Sequence, residues 1–230
     1  MDPKPCTCVA PINGRRFPRN LRLHEPQQDT QSPAWRTLCK LVDEAVADGR
    51  ECFAPFRELS EADRSQIVTL PKSIAGLKRV KEFVVYGSSL VCIPPEIGDM
   101  TALETFTPYT SYRLHWFPYE ITRCANLRRG TVSTRALFGN AKYRPMFPRL
   151  PCDIPALYPP VCSVCRGPFA AEGPLQRWLS LRIATDVLPL LVFACSAACI
   201  QKVPKPAAGY VDHAHQGGPP VQQPPPQFPR

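Results

Sequence analysis

The sequence predicts an α/β chain in which a coil of short repeats contributes one parallel strand per turn. Helices cover its N-terminal side, and a small cysteine-bearing module covers its C-terminal side. Three observations lead there. Segments beginning at Leu70, Ile93 and Phe117 match position by position, 23 and then 24 residues apart. Ahead of them, apolar residues recur at helical spacing. Behind them come two close pairs of cysteines. At 230 residues the chain is long enough for one core with a small satellite.

Residues 1–32 show no periodicity and read as loop or extended chain. Within them, Cys6-Thr-Cys8 is spaced too closely for the usual metal knuckle. Residues 33–69 read as a helical cap. Trp35, Leu38, Cys39, Val42 and Val46 share one face of a helix that stops near Gly49. Ser60 followed by Asp63 is a second helix start, with Asp in place of the favoured Glu or Gln.

The repeats occupy residues 70–140. Apolar residues recur in step at Leu70, Ile93 and Phe117; at Ile74, Ile97 and Ile121; at Leu77, Met100 and Cys124; and at Val80, Leu103 and Leu127. Each copy has Pro second (Pro71, Pro94, Pro118), so the copies cannot join into one long helix. Stacked turns instead bury a continuous core that no single turn could bury. The pattern resembles the leucine-rich repeat family, in particular the bacterial LPxxIxxLxxLxxLxL class, over Leu70 to about Asn140. There are departures. The buried Asn of the family is replaced by Ser88, falls near Ser111 or Tyr112 in the second copy and falls on Arg135 in the third. Pro108 lies at a strand position and cannot donate to a ladder, so the middle strand is expected to be irregular.

Strand alternation sets the exposed face. With Phe83 and Val85 inward, Glu82, Val84 and Tyr86 point outward. Their equivalents are Thr105, Thr107 and Tyr109, then Arg129, Thr131 and Ser133. The resemblance implies that these nine residues contact a protein partner. Tyr86 beside Tyr109, with Arg129 near, suits such a surface because aromatic and Arg side chains concentrate in interface cores.

A connecting segment, residues 141–160, leads to the cysteine module, residues 161–203. Cys162-Ser-Val-Cys165 and Cys195-Ser-Ala-Ala-Cys199 supply four thiols in two pairs. Four thiolates around a tetrahedral centre form a structural zinc site with no open position for substrate. The segment between the pairs reads as a hairpin, and Gly167 suits the tight turn behind the first pair. Knuckle, hairpin and helix together resemble a treble-clef zinc finger. Of the remaining cysteines, Cys39 and Cys124 read as packing residues, Cys92 lies beside a core position, and Cys152 is a weaker competitor for the metal. The tail, residues 204–230, is rich in the chain's 29 prolines and reads as disordered and outside the fold. Its His213-Ala-His215 is a weak metal-binding pattern.

Composition narrows the function. Net charge is +9, with Arg113, Arg123, Arg128, Arg129, Arg135, Lys142, Arg144 and Arg149 set against Glu120 alone between 113 and 149. That stretch points to an anionic partner, and together with the zinc module it supports nucleic-acid binding as the alternative to a protein-binding scaffold. No nucleotide loop, GxSxG, HExxH or paired-carboxylate motif is present, so no catalytic residue and no small-molecule substrate is expected. His115 and Cys124, the one conceivable thiol–base pair, both fall in repeat positions. The first residues carry no apolar secretory run, and the most apolar stretch, 187–200, contains Pro189 and is too short to span a bilayer. A cytoplasmic location, no membrane partner and eleven reduced cysteines are therefore expected.

Overall fold

The computed structural model of the protein describes residues 21–226; Cys6 and Cys8, and the last four residues of the tail, fall outside the described residues. The fold is mixed α/β with two sheets. The first contains β1 (Cys52–Phe53), β2 (Glu82–Val84), β3 (Thr105–Thr107) and β5 (Arg129–Gly130) in the order β1-β2-β3-β5, parallel throughout. The second has the order β4-β7-β6 and consists of β4 (Phe117–Pro118) beside the antiparallel hairpin β6 (Leu175–Ile183) and β7 (Asp186–Ala194).

Helix α1 (Pro33–Asp48) begins where the Ser32 hydroxyl accepts the Trp35 N–H, and ends at Gly49 in the left-handed region. Its buried stripe is Ala34, Leu38, Leu41, Val42 and Ala45. This stripe is rotated from the expected face: Val46 is 43% exposed, and Trp35 is only partly buried. The helix approaches the first 3-10 turn closely at Gly76, where a methyl would stand 2.9 Å from Val46. Helices α2 (Pro55–Glu58) and α3 (Glu61–Gln66) follow, with the Ser60 hydroxyl accepting the Asp63 N–H at 3.1 Å. The region read as purely helical therefore holds a strand, since β1 pairs Phe53 with Phe83.

Each matched segment folds alike. Pro71, Pro94 and Pro118 are extended and open 3-10 turns at Lys72–Gly76, Pro95–Asp99 and Tyr119–Arg123, which bury Ile74, Ile97 and Ile121. Each turn closes with the N–H of Leu77, Met100 or Cys124 on the isoleucine carbonyl. The strands sit in the expected register, Phe83 opposite Phe106 and Phe106 opposite Gly130. They are shorter than the periodic pattern suggested. β3 stops at Thr107, directly before Pro108.

Behind the strands the rings of Phe53, Phe83 and Phe106 stack with centroids 5.8 and 5.7 Å apart. The column ends at Gly130, and Phe117 turns edge-on to Phe106 at 6.2 Å. The hairpin then meets β5 and β4. Its turn residue Thr185 bonds Gly130 of β5, while Leu190 and Leu191 pair with Phe117 and Pro118 of β4. Leu179, Leu181, Leu188, Leu190 and Val192 join the core behind the parallel sheet. Trp178, Leu191 and Phe193 join a second cluster with Trp116, Phe138 and Phe147.

Pro189 sits within a central strand without loss. It faces Ser180, whose carbonyl accepts Ala207 N–H at 2.8 Å, and Trp178 exchanges both of its backbone bonds with His215. β6 thus turns these groups away from β7, and the missing proline N–H forfeits no bond to β6.

Those bonds also correct the reading of the tail. Residues 204–226 are not a loose appendage but run along the free edge of β6, with Val211 and His215 buried. An unpaired strand edge is a row of unsatisfied backbone groups, and the tail satisfies part of it. Gly217 and Gly218 both have positive φ, and a side chain on Gly217 would collide with the Pro148 carbonyl. The glycine pair builds a specific turn.

Candidate metal centre and exposed sheet face

The sulfurs of Cys162, Cys165, Cys195 and Cys199 all lie within 4.8 Å of one another. Cys165 and Cys195 are 3.5 Å apart, and Cys195 and Cys199 are 3.6 Å apart. Four thiolates held at ~2.3 Å from a tetrahedral ion have edges of about 3.8 Å, so the donor set fits a metal ion.

Three elements place these sulfurs. The knuckle at Cys162–Gly167 closes with Cys162 N–H on Gly167 O and Arg166 N–H on Cys162 O. Arg166, rather than Gly167, takes the left-handed conformation, at φ 62. Gly167 is needed for another reason, because a side chain there would stand 3.3 Å from Cys165 Sγ. The end of β7 delivers Cys195. Helix α4 (Ala197–Gln201), capped by the Ser196 hydroxyl on Cys199 N–H, delivers Cys199.

The thiols are not equivalent. Cys162 is fully buried, which disfavours its thiolate, but the N–H groups of Val164, Cys165 and Cys195 point at its sulfur and bring its pKa down to about 6. Cys195, wedged between the sulfurs of Cys165 and Cys199, is pushed up to about 12. Arg123 ties the knuckle to the third matched segment by donating to Ser163 O at 2.9 Å. Cys152 is elsewhere: its thiol bonds Gln176 Oε1 at 3.2 Å.

The predicted sheet face is largely assembled. Glu82, Tyr86, Tyr109, Arg129 and Thr131 are exposed, and Thr105 and Thr107 are partly exposed. The rings of Tyr86 and Tyr109 are 6.1 Å apart. Two residues depart from expectation. Val84 is 6% exposed, a short side chain between the longer Glu82 and Tyr86 on the same face. Ser133 is buried because β5 ends at Gly130, so strand alternation no longer holds there; its hydroxyl accepts Thr110 N–H at 2.6 Å.

Ser133 thereby fills the third place of a serine ladder. Ser111, not Tyr112, accepts Ser88 N–H at 3.3 Å and donates to Val85 O. Hydroxyls thus bridge neighbouring turns where the resemblance placed an Asn or Arg135, whose side chain is outside the described ones.

The tail, whose role the sequence did not reveal, adds further polar groups. His215 is buried and its Nδ1 accepts Gly217 N–H, while His213 is exposed and bonds Asp212. The two histidines do not share a metal position. His115 and Cys124 are likewise unpaired with each other: His115 Nδ1 is 2.6 Å from Ala136 O, and the Cys124 thiol donates to Ile97 O. Burial pushes the Cys124 thiol up to about 12.

Fold and site define a mixed α/β protein with a parallel sheet and a four-cysteine cluster suited to a metal ion. No family model matches the chain, and no curated protein matches it at a significant level. Among solved structures it is similar to a leucine-rich repeat protein of Leptospira interrogans, at 25% identity and a TM-score of 0.27, over 31% of this chain and 21% of that one. The chain thus spans well under two thirds of that protein. Among the described residues no helix is long and apolar enough to cross a membrane.

Proposed function

We propose that this chain is a non-enzymatic binding scaffold of the leucine-rich repeat type, a short solenoid that engages a protein partner through its exposed sheet face. One observation carries the reading. Tyr86 and Tyr109 are 54% and 45% exposed, side by side on a sheet whose opposite face is fully packed. Large aromatic side chains exposed as a contiguous group are the usual anchors of an interface. Glu82 and Arg129 lie in the row of Thr105, two side-chain steps along the same face, and would form a polar rim.

Under this reading the four cysteines hold a structural Zn2+ in a treble-clef-like module. Its role is to lock the hairpin that covers the last turn of the coil. The donor set leaves no coordination position for substrate, which fits a structural rather than a catalytic ion.

The nucleic-acid alternative draws less support. Of the basic residues that motivated it, Arg123 is committed to Ser163 O, and Arg144 to Gly139 O, Gly209 O and the Tyr210 ring. The test is capture from the native host by wild type and by Tyr86→Ala, Tyr109→Ala and Arg129→Glu. Loss of the same protein partner in all three supports the scaffold. Steeply salt-dependent binding to generic DNA or RNA that survives all three overturns it.

A further inference from the structure

Away from the exposed sheet face and the sulfur cluster, a cavity of about 130 Å³ lies between the proline corners of the matched segments and residues 156–159. Its walls include Leu70, Ile93, Pro95, Pro118, Leu157 and Phe193. Its polar lining is Thr69, Lys72 and Tyr158 together with two deeply buried side chains, Trp116 at 3% and Glu120 at 2% exposure. Trp116 Nε1 and Glu120 Oε1 are both buried without a hydrogen-bond partner among the described residues. A buried polar group left in that condition has given up its bonds to water without replacing them.

Lys72 lines the cavity but is exposed and forms no ion pair with Glu120 among the described residues, and Arg123 forms only a long one. Arg123 Nη2 stands 3.9 Å from its Oε1 and gives its hydrogen bond to Ser163 O instead. An adjoining cleft shares Pro95, Glu120 and Pro159 and adds Glu96, whose Oε2 is also buried and unpartnered. Arg123 and Arg166 line this cleft as well, so with Lys72 the charges of the two linings balance, but Glu96 Oε2 and Glu120 Oε1 are still left without a hydrogen bond among the described residues. Burial pushes the Glu120 carboxyl above its ordinary range, against the opposing effect of a side-chain hydrogen bond with Ser163 and the charge of Arg123.

We propose that this pocket binds a side-chain-sized primary ammonium group, with its –NH3+ on Glu120 and its carbon chain between the proline walls. A water occupies about 30 Å³ of liquid, so the volume suits a ligand of roughly five heavy atoms. The Trp116 N–H would take an acceptor on the same ligand. A free alkylamine offers the ammonium alone, whereas a lysine residue also offers a backbone carbonyl.

The experiment follows the Trp116 indole N–H resonance of the full chain while titrating n-butylamine, n-butanol and Nα-acetyl-lysine methylamide. Butylamine should give a saturable shift with a Kd near ~1 mM, the scale open to so small a ligand. Butanol, its neutral counterpart, should bind at least ~10-fold more weakly, as should butylamine to Glu120→Gln. Tighter binding of the lysine derivative than of butylamine assigns the pocket to a lysine side chain, and weaker or equal binding assigns it to a free amine. Butanol binding as well as butylamine to the wild type would overturn the proposal, whether or not Glu120→Gln folds. So would the absence of any saturable shift up to about 0.1 M amine, a concentration that leaves less than ~1.4 kcal/mol of affinity.

Discussion

The parallel sheet and the β6–β7 hairpin bury apolar faces in the same core, yet they are held differently. In the sheet each strand is only two or three residues long, and order comes from repetition: Phe53, Phe83 and Phe106 stack, Ile74, Ile97 and Ile121 stack, and serine hydroxyls bridge the turns. In the hairpin each strand is nine residues long. Order there comes from one continuous antiparallel ladder pinned at one end by four sulfurs, with the tail along its free edge. A repeated contact can be weakened at one level and kept at the next. A node cannot, so the two regions should respond to damage unequally.

Metal removal should have the largest effect. Chelation, or Cys162→Ser, should release about one zinc per chain and destabilise the protein by about 4 kcal/mol or more, lowering the melting temperature by roughly 10 °C. Elemental analysis and calorimetry check this, and a protein that melts unchanged after metal removal would show that the sulfurs do not lock the hairpin. Within the sheet, Phe83→Ala removes the middle ring of the column and should cost about 3–4 kcal/mol in urea unfolding. A much smaller cost would mean that Phe53 and Phe106 close over the gap.

Acid should find the hairpin side first. Burial holds both His115 and His215 down to about 4, against an ordinary 6.5. Unfolded imidazoles therefore take up protons in a window where the folded ones do not. Stability is full above pH 6.5 and falls as pH drops towards 4, by up to about 3 kcal/mol for each ring. His215→Gln should flatten that slope in chemical denaturation followed across pH. Deleting residues 204–226 uncovers the edge of β6 and exposes Val211 contacts, at a cost of about 3 kcal/mol. A deletion without effect would restore the view of the tail as an appendage.

The smallest effect on stability belongs to the exposed tyrosines. Tyr86→Ala and Tyr109→Ala should each change it by less than about 1 kcal/mol while abolishing partner capture. A larger loss of stability would make them structural.

The repeats and the cysteine cluster were legible in the sequence because each is a local code. The period of 23–24 residues puts a 3-10 turn and a short parallel strand at the same point of each copy, and the closely spaced thiols converge. Tyr86 and Tyr109 lie two residues past β2 and β3, where backbone bonds from Val85 to Thr107 O and from Gly87 to Tyr109 O prolong the alternation. Among the described residues no such bond prolongs it to Ser133 beyond β5, and Val84 is covered although it lies within β2. β1 was not legible. Two residues cannot display a period, and Phe53 reads as a strand only because Phe83 lies beside it.

The tail was misread for a related reason. Composition marks Pro and Gly as flexible when nothing else holds them, but here β6 offers Trp178 and Ser180 as backbone partners. The sequence by itself determined which residues recur, which thiols pair and which faces are apolar, since these depend on spacing along one chain. Only the tertiary structure decided where the hairpin lands, that the tail seals its edge, and that Trp116 and Glu120 line one pocket. Those outcomes depend on surfaces brought together from segments distant in sequence, and no local pattern records them.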